Sequence, residues 1–283
     1  MSFWDRSKRL LDRRGLRSAL GVAASYLARR RGRGVNRIFF DAGVWIHQTG
    51  QGYFAYRHPY VRLDLTELDK LAKAYFFWGY HPRPGDVVID VGAGVGEEAL
   101  TFSHAVGEHG KLVCIEAHPH TYRCLESLVR YNHLRNVIPV HAAITDKASG
   151  TAMIEDSVAY HRNRLNTPKG IPVDSITIDA IHRKLGLARI QFLKMNIEGA
   201  ERFAVQGMTE TLNQTEVFCI SCHDFLASDK GDDMLRTKDT VKQFFQVHGI
   251  EIVERLEPGL PPHVCDQVWG YNHRLLKVNK FAS

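Results

Sequence analysis

The 283-residue chain is 44% hydrophobic with a formal net charge of +6, which excludes a charge-dominated disordered chain and provides for a packed core. Residues 1 to 37 hold eleven Lys or Arg against two Asp, so that segment carries +9 and leaves the rest of the chain at −3. Five scattered cysteines at 114, 124, 219, 222 and 265 give no secreted disulfide framework, and a reducing, cytoplasmic compartment is the expectation.

The length suits one Rossmann-sized domain with extensions, divided here as 1–34, 35–80 and 81–275. Residues 2–34 read as an appended basic helix, with Leu10, Leu11, Leu16, Ala19, Leu20, Ala23, Ala24 and Leu27 near helical spacing among arginines. Its apolar run, Ala19 to Ala28, is far shorter than the ~20 residues a membrane span needs. A solvated or partly packed extension is the plain reading. A helix lying on anionic membrane, or a weak nucleic-acid arm, is the functional one. Asn36 to Arg62 alternates aromatic and polar residues around Gly43, Gly50 and Gly52, as a β-hairpin or small antiparallel patch does. Asp64 and Glu67 have capping-box spacing for a helix running to about Tyr80.

Val87 to Val91 is a short β-branched run interrupted only by Asp90, as in a strand buried on both faces. Gly92, Gly94 and Gly96 follow, then a helical pattern from Glu97 to Val106. Strand, glycine turn and helix begin a nucleotide-binding βαβ unit. The residue three after Gly94 is Glu97, so the G-x-G-x-x-G spacing of dinucleotide binders fails. Asp-x-Gly-x-Gly-x-Gly is instead the arrangement of class I methyltransferases, whose cofactor S-adenosylmethionine (SAM) carries no pyrophosphate. SAM does carry an ammonium and a sulfonium that favour a nearby carboxylate. This points to Asp90, Gly92, Ala93, Gly94 and Gly96 at the cofactor.

Lys111 to Glu116 is the second strand, and Glu116 lies twenty residues after Gly96, where a carboxylate at a strand tip accepts hydrogen bonds from ribose hydroxyls. Ala117 follows it, and His118-Pro119 opens a helix to about His133. The third strand, Asn136 to Ile144, ends in Ala142 and Ala143, small enough to admit adenine; Ala143 is the candidate contact. Gly150 to Glu155 reads as an extra strand and Tyr160 to Gly170 as a polar loop over the pocket. Ile190–Ile197, Glu216–Cys222, Ile250–Leu256 and Gln267–Tyr271 complete the strands, with a helix from Glu201 to about Leu212 and another at Thr240–His248. The expected fold is α/β: a Rossmann-like, mostly parallel seven-stranded sheet with an antiparallel C-terminal strand.

Pro84-Gly85-Asp86, Asp90-Val91-Gly92-Ala93, Glu116-Ala117-His118-Pro119 and Val173 to Asp179 carry a further pattern. With the run Phe192-Leu193-Lys194-Met195-Asn196-Ile197-Glu198-Gly199-Ala200-Glu201, the chain resembles the FkbM family of SAM-dependent methyltransferases over about residues 60 to 225. The resemblance implies SAM as cofactor and O-methylation of a hydroxyl on a sugar, glycolipid or polyketide-type acceptor. The family usually has Asp at the position of Asn196, commonly Asn at Gly94, and aromatic residues at Glu97 and Glu98. Asn at 196 counts against a metal-ligand or general-base role for that position and leaves it able to orient the methionine end of SAM by hydrogen bonding; no residue is assigned to a metal, and metal use stays open.

His223 stands at the C-terminal edge of its strand, where parallel sheets bind ligands, and is the first candidate to take the acceptor's proton. Asp224 is placed to orient it or to bind a substrate hydroxyl, and Glu198 and Glu201 are alternative acids that can equally cap a helix. Cys219-Ile220-Ser221-Cys222-His223 matches a haem-attachment pattern by accident, since its cysteines lie on a buried strand. Two other readings stand beside O-methylation: a nucleic-acid or protein N-methyltransferase guided by the basic arm, and a SAM-binding scaffold without turnover.

Overall fold

The computed structural model describes residues 14–60, 64–156, 165 and 170–279. The basic segment forms helix α1 (Arg14–Arg30), which lies on the first strand of an antiparallel sheet ordered β1 (Val35–Asp41), β2 (Val44–Thr49), β3 (Tyr53–Tyr56). Gly21 permits this approach, because a Cβ there would fall 2.7 Å from the Ile38 carbonyl oxygen. One turn on, the Ser25 hydroxyl donates to the Gly21 carbonyl at 2.6 Å and accepts from the Ile38 N–H at 2.7 Å.

Helix α2 (Leu68–Phe76) follows. The capping box predicted for it does not form. Asp64 Oδ1 accepts from the N–H and the hydroxyl of Thr66, making a turn ahead of the helix, and Glu67 at the N-cap makes no side-chain cap bond. The helix also stops short of Tyr80, whose hydroxyl donates to Asp86 Oδ2 at 2.7 Å.

The body contains β4 (Val87–Val91), α3 (Ala99–Val106), β5 (Lys111–Glu116), α4 (Pro119–Tyr131), β6 (Val137–His141), β7 (Ala143–Ile144), β8 (Gly150–Ile154), β9 (Ile171–Ile176), α5 (Ile178–Leu185) and β10 (Ile190–Met195). Next come α6 (Glu201–Ala204), α7 (Thr209–Leu212), β11 (Thr215–Ser221), α8 (Asp224–Lys230), α9 (Lys238–Val247), β12 (Glu251–Glu254), α10 (Pro262–Cys265), β13 (Gln267–Tyr271) and α11 (His273–Asn279). Seven strands form one sheet in the order β12-β13-β11-β10-β4-β5-β6, with β13 antiparallel to both neighbours. The order reverses direction between β4 and β10, and the strand tips there open the crevice where such sheets bind ligands.

Two predicted elements are divided. The third strand breaks after His141; β7 leaves the main sheet and joins β9 and β8 in a small sheet of its own. The helix expected from Glu201 to Leu212 becomes α6, a 3₁₀ turn at Val205–Gly207, and α7. Gly207 marks the break, where a Cβ would lie 2.6 Å from the Thr145 carbonyl oxygen. Asp179 then holds α7 in place, accepting from the Thr211 N–H at 2.7 Å and the Thr211 hydroxyl at 2.6 Å.

One continuous apolar core joins the N-terminal sheet to the body, running from Ile46 and Phe54 through Phe76 and Phe102 to Phe192 and Trp269. Asn132 at the end of α4 fastens β3, accepting from the Tyr53 N–H at 2.8 Å and donating to its carbonyl at 2.7 Å.

Candidate functional site

A cavity of about 320 Å³ lies over the tips of β4, β5 and β10. Its floor is the glycine turn after β4. Gly92 has φ +78°, and a Cβ there would fall 2.0 Å from the Asn196 carbonyl oxygen, so only glycine lets the turn close against the end of β10. Gly92, Ala93 and Gly94 line the cavity. Gly96 does not; it packs against Leu125 and Leu128 of α4 and serves the fold.

Glu116 enters the cavity from the tip of β5. Its Oε1 accepts from the His118 N–H at 2.8 Å and its Oε2 from the Gly94 N–H at 3.0 Å, which ties the two loops together. Burial pushes its pKa up to about 7, against the pull of those two N–H groups. His118 is the N-cap of α4, with Nδ1 accepting from the His120 and Thr121 N–H groups and Nε2 3.2 Å from Asp156 Oδ1. Ala117 and Ala142 line the wall, while Ala143, the predicted adenine contact, lies outside the lining one residue further on. Ile144, Ile154 and Leu165 make that wall apolar, and Leu165 bridges to Ile154. The remainder of the loop expected over the pocket, 160–164 and 166–169, falls outside the described residues.

The structure places Asp90 beneath the cavity rather than in it. It is 0% exposed, and its Oδ1 lies 2.8 Å from Lys194 Nζ, the residue directly opposite on β10. Lys194 is 1% exposed and also donates to the Gly92 carbonyl at 3.3 Å. Burial works against its charge, but Asp90 and Glu98 prevail and raise its pKa. Asp90 is thus committed to a buried cation, and the expectation that it faces a cofactor's charges gives way to a structural role. The acids that do line the cavity are Glu97, Glu98, Glu116 and Glu198. Burial raises the pKa of Glu98, opposed by Lys194.

Asn196 lines the cavity, with its backbone N–H donating to the Val91 carbonyl at 2.9 Å. Its side-chain Oδ1 is buried without a hydrogen-bond partner, and such an orphan favours a donor brought by a ligand. Glu198, two residues on, is a non-glycine residue at φ +55°, a strained conformation of the kind that collects at functional sites. Glu201 folds back instead, accepting from the Ile197 and Gly199 N–H groups at 2.9 Å each.

His223 lies between these acids, with Nε2 3.2 Å from Glu198 Oε1 and Nδ1 3.3 Å from Glu201 Oε1. Burial disfavours the charged ring, but the two carboxylates outweigh it and push its pKa up to about 10. A ring that holds its proton at neutral pH does not accept one, and His223 stands outside the cavity lining. Of the trio, Glu198 is the member that lines the cavity. Asp224 faces elsewhere: its Oδ2 accepts from the Thr237 and Lys238 N–H groups and fixes the start of α9. Cys219 and Cys222 are buried free thiols. Among the described residues, no group of three or more His, Cys, Asp or Glu side chains is arranged to hold a metal ion.

Sequence reasoning missed the partnership of Lys194 and Asp90. The signal was present, since a lysine inside an apolar strand requires a buried acid on a neighbouring one.

The strand order with its single reversed strand, and an acidic crevice at the point where that order turns, define a class I methyltransferase fold. The model of the FkbM methyltransferase domain matches residues 90–249, and the chain belongs to that family. The matched region is a methyltransferase domain of the SAM-dependent class. Among solved structures, the chain is similar to the FkbM methyltransferase of Methylobacillus flagellatus at 17% identity, with a TM-score of 0.48 over 71% of this chain and 47% of that one. It thus spans about half the length of that relative. The fibrillarin of Aeropyrum pernix, solved with bound SAM, overlaps at 14% identity and a TM-score of 0.43, covering 81% of this chain and 93% of that one. A SAM-dependent methyltransferase of Aquifex aeolicus gives 16%, 0.41, 74% and 97%. No curated protein sequence matches the chain.

Proposed function

We propose that this chain is an O-methyltransferase that acts on a hydroxyl of a small molecule or glycoconjugate, with Glu198 as the group that receives the acceptor's proton. The observation that carries this reading is the position of Glu198. It is a strained, cavity-facing carboxylate 3.2 Å from the His223 ring, whose other nitrogen lies 3.3 Å from Glu201.

The residues of the cavity fit SAM. Glu116 is placed to accept from the ribose hydroxyls, and Ala142, Ile144, Ile154 and Leu165 offer an apolar wall to the adenine. The unpartnered Asn196 Oδ1 and the nearby carboxylates suit the ammonium end. When bound, SAM supplies an electrophilic methyl carbon on sulfur, so alignment of the acceptor accounts for most of the catalysis. Glu198 would accept the hydrogen bond of the acceptor hydroxyl, which orients the oxygen lone pair, and take the proton as the C–O bond forms and the methyl's bond to sulfur breaks, its electron pair leaving with the neutral thioether. His223 keeps its own proton and fixes the Glu198 carboxylate from the side away from the cavity. The neighbouring acids, in their ionised form, add attraction for a sulfonium.

A screen of hydroxylated acceptors with methyl-labelled SAM tests the reading. The expected result is label on oxygen for at least one sugar, glycolipid or polyketide-type alcohol. Label found only on nitrogen of RNA or protein would replace it.

A further inference from the structure

The outward side of α1 is the feature that the methyl-transfer reading leaves unexplained. The inward side packs on β1 through Gly21, Ser25 and Ala28. On the opposite side Leu16, Ala19, Ala23, Tyr26 and Arg30 recur at steps of three and four, flanked by Val22 and Leu27. These residues are exposed: Leu16 43%, Val22 71%, Tyr26 53% and Leu27 50%. A surface helix ordinarily turns charged residues outward, whereas this one is apolar on both sides.

Among the described residues, the charges carried by α1 itself have one sign. Helix α1 contains four arginines and no Asp or Glu, and Arg31 and Arg33 follow it directly. Between the helix and β1 runs a groove of about 820 Å³ lined by Arg17, Arg29 and Arg37 with Phe39 and Phe40. The Arg17 guanidinium lies 3.8 Å from the centre of the Phe40 ring and that of Arg37 5.1 Å from that of Phe39, so the cations are held over aromatic faces beside the groove. The Asp41 carboxylate at its end is engaged by Arg130 at 2.6 Å and by Tyr131.

We propose that α1 and this groove dock the protein on an anionic membrane surface. The outward apolar residues enter the boundary between headgroups and acyl chains, and the arginines meet lipid phosphates. An apolar strip bordered by arginines matches the two layers of a bilayer's face, with hydrocarbon below and anionic headgroups above. A nucleic acid would satisfy the arginines and leave Leu16, Val22 and Leu27 in water. A second copy of the chain would cover the apolar strip but bring arginines against arginines, with no acid in the helix to offset them. No described helix is long and apolar enough to cross a membrane, so the contact is with its surface. The docking stands independently of which acceptor is methylated.

Co-sedimentation of the full chain with phosphatidylcholine vesicles, with and without phosphatidylglycerol at roughly one part in three, tests this. Binding is expected only with the anionic lipid, and it falls away at about 1 M salt, where the screening length shrinks to about 3 Å. Val22→Asp combined with Tyr26→Asp should weaken it by at least about tenfold. Arg30→Ala with Arg31→Ala should weaken it by about thirtyfold. In all variants the melting temperature and SAM affinity should stay at the wild-type values, which separates lost docking from lost folding. Equal binding to pure phosphatidylcholine, or vesicle binding retained in the Asp variant, overturns the proposal. So does a dimer that disappears with Val22→Asp and Tyr26→Asp.

Discussion

Asp90 with Lys194, in the middle of the sheet, and Glu198 with His223 and Glu201, at the strand tips, are groupings of similar charges in different surroundings. In the first, acid and amine face each other across paired strands and are sealed at 0% and 1% exposure. In the second, Glu201 is sealed in the same way, but Glu198 is turned toward the cavity by a left-handed backbone. A buried basic side chain sits beside an acid in both places. The opening of the chain beside it decides whether that acid only supports the sheet or also meets a ligand.

The largest effect should come from breaking the sealed pair. Lys194→Met leaves Asp90 without its counter-charge in the core, and should cost about 3–5 kcal/mol in urea-induced unfolding. A loss below about 1 kcal/mol would mean that the pair is not the electrostatic centre of the sheet.

His223 links protonation to stability at the strand tips. Its folded pKa of about 10 lies above the ordinary histidine value of 6.5, so its contribution is fully present below pH 6.5 and is lost as pH rises through about 10. Thermal unfolding across that window should show a decline of up to about 5 kcal/mol that His223→Gln removes. An unchanged pH profile in the variant would place the ring's proton elsewhere.

Glu198→Gln sharpens the comparison on the catalytic side. With an acceptor from the screen, turnover should fall about a hundredfold. SAM affinity measured by calorimetry should stay close to wild type, because the change keeps size and removes only proton acceptance. Equal turnover in the variant would return Glu198 to a purely structural place beside Glu201.

The smallest effect concerns Glu116, which is buried like Asp90 but open to the cavity. Burial holds its pKa near 7, so the ionised form that suits a cationic nucleoside is populated only above that pH. SAM affinity should weaken toward about tenfold per pH unit below 7 and level off above it. In Glu116→Gln it should be weaker and flat with pH; a wild-type profile in that variant would remove Glu116 from the ribose position.

Much of this was written locally in the chain. The β-branched run before Gly92, the glycine spacing, Glu116 at its distance and the late reversed strand are short-range patterns, since strand burial and turn conformation depend on neighbouring residues. The sequence therefore determined the sheet, the turn and the family likeness. Only the tertiary structure decided what each acid does. Asp90, Glu198, Glu201 and Asp224 are similar carboxylates in the sequence; one faces a lysine across a sheet, one a cavity, and two face backbone N–H groups. The surroundings of His223 were decided in the same way: an imidazole's protonation is set by what packs against it, and the flanking carboxylates come from a different segment of the chain. The fate of α1 was likewise settled by contact, as Gly21 and Ser25 bind one side to β1 and leave the other side outward. A charge's partner across the fold is a long-range fact, and local pattern does not encode it.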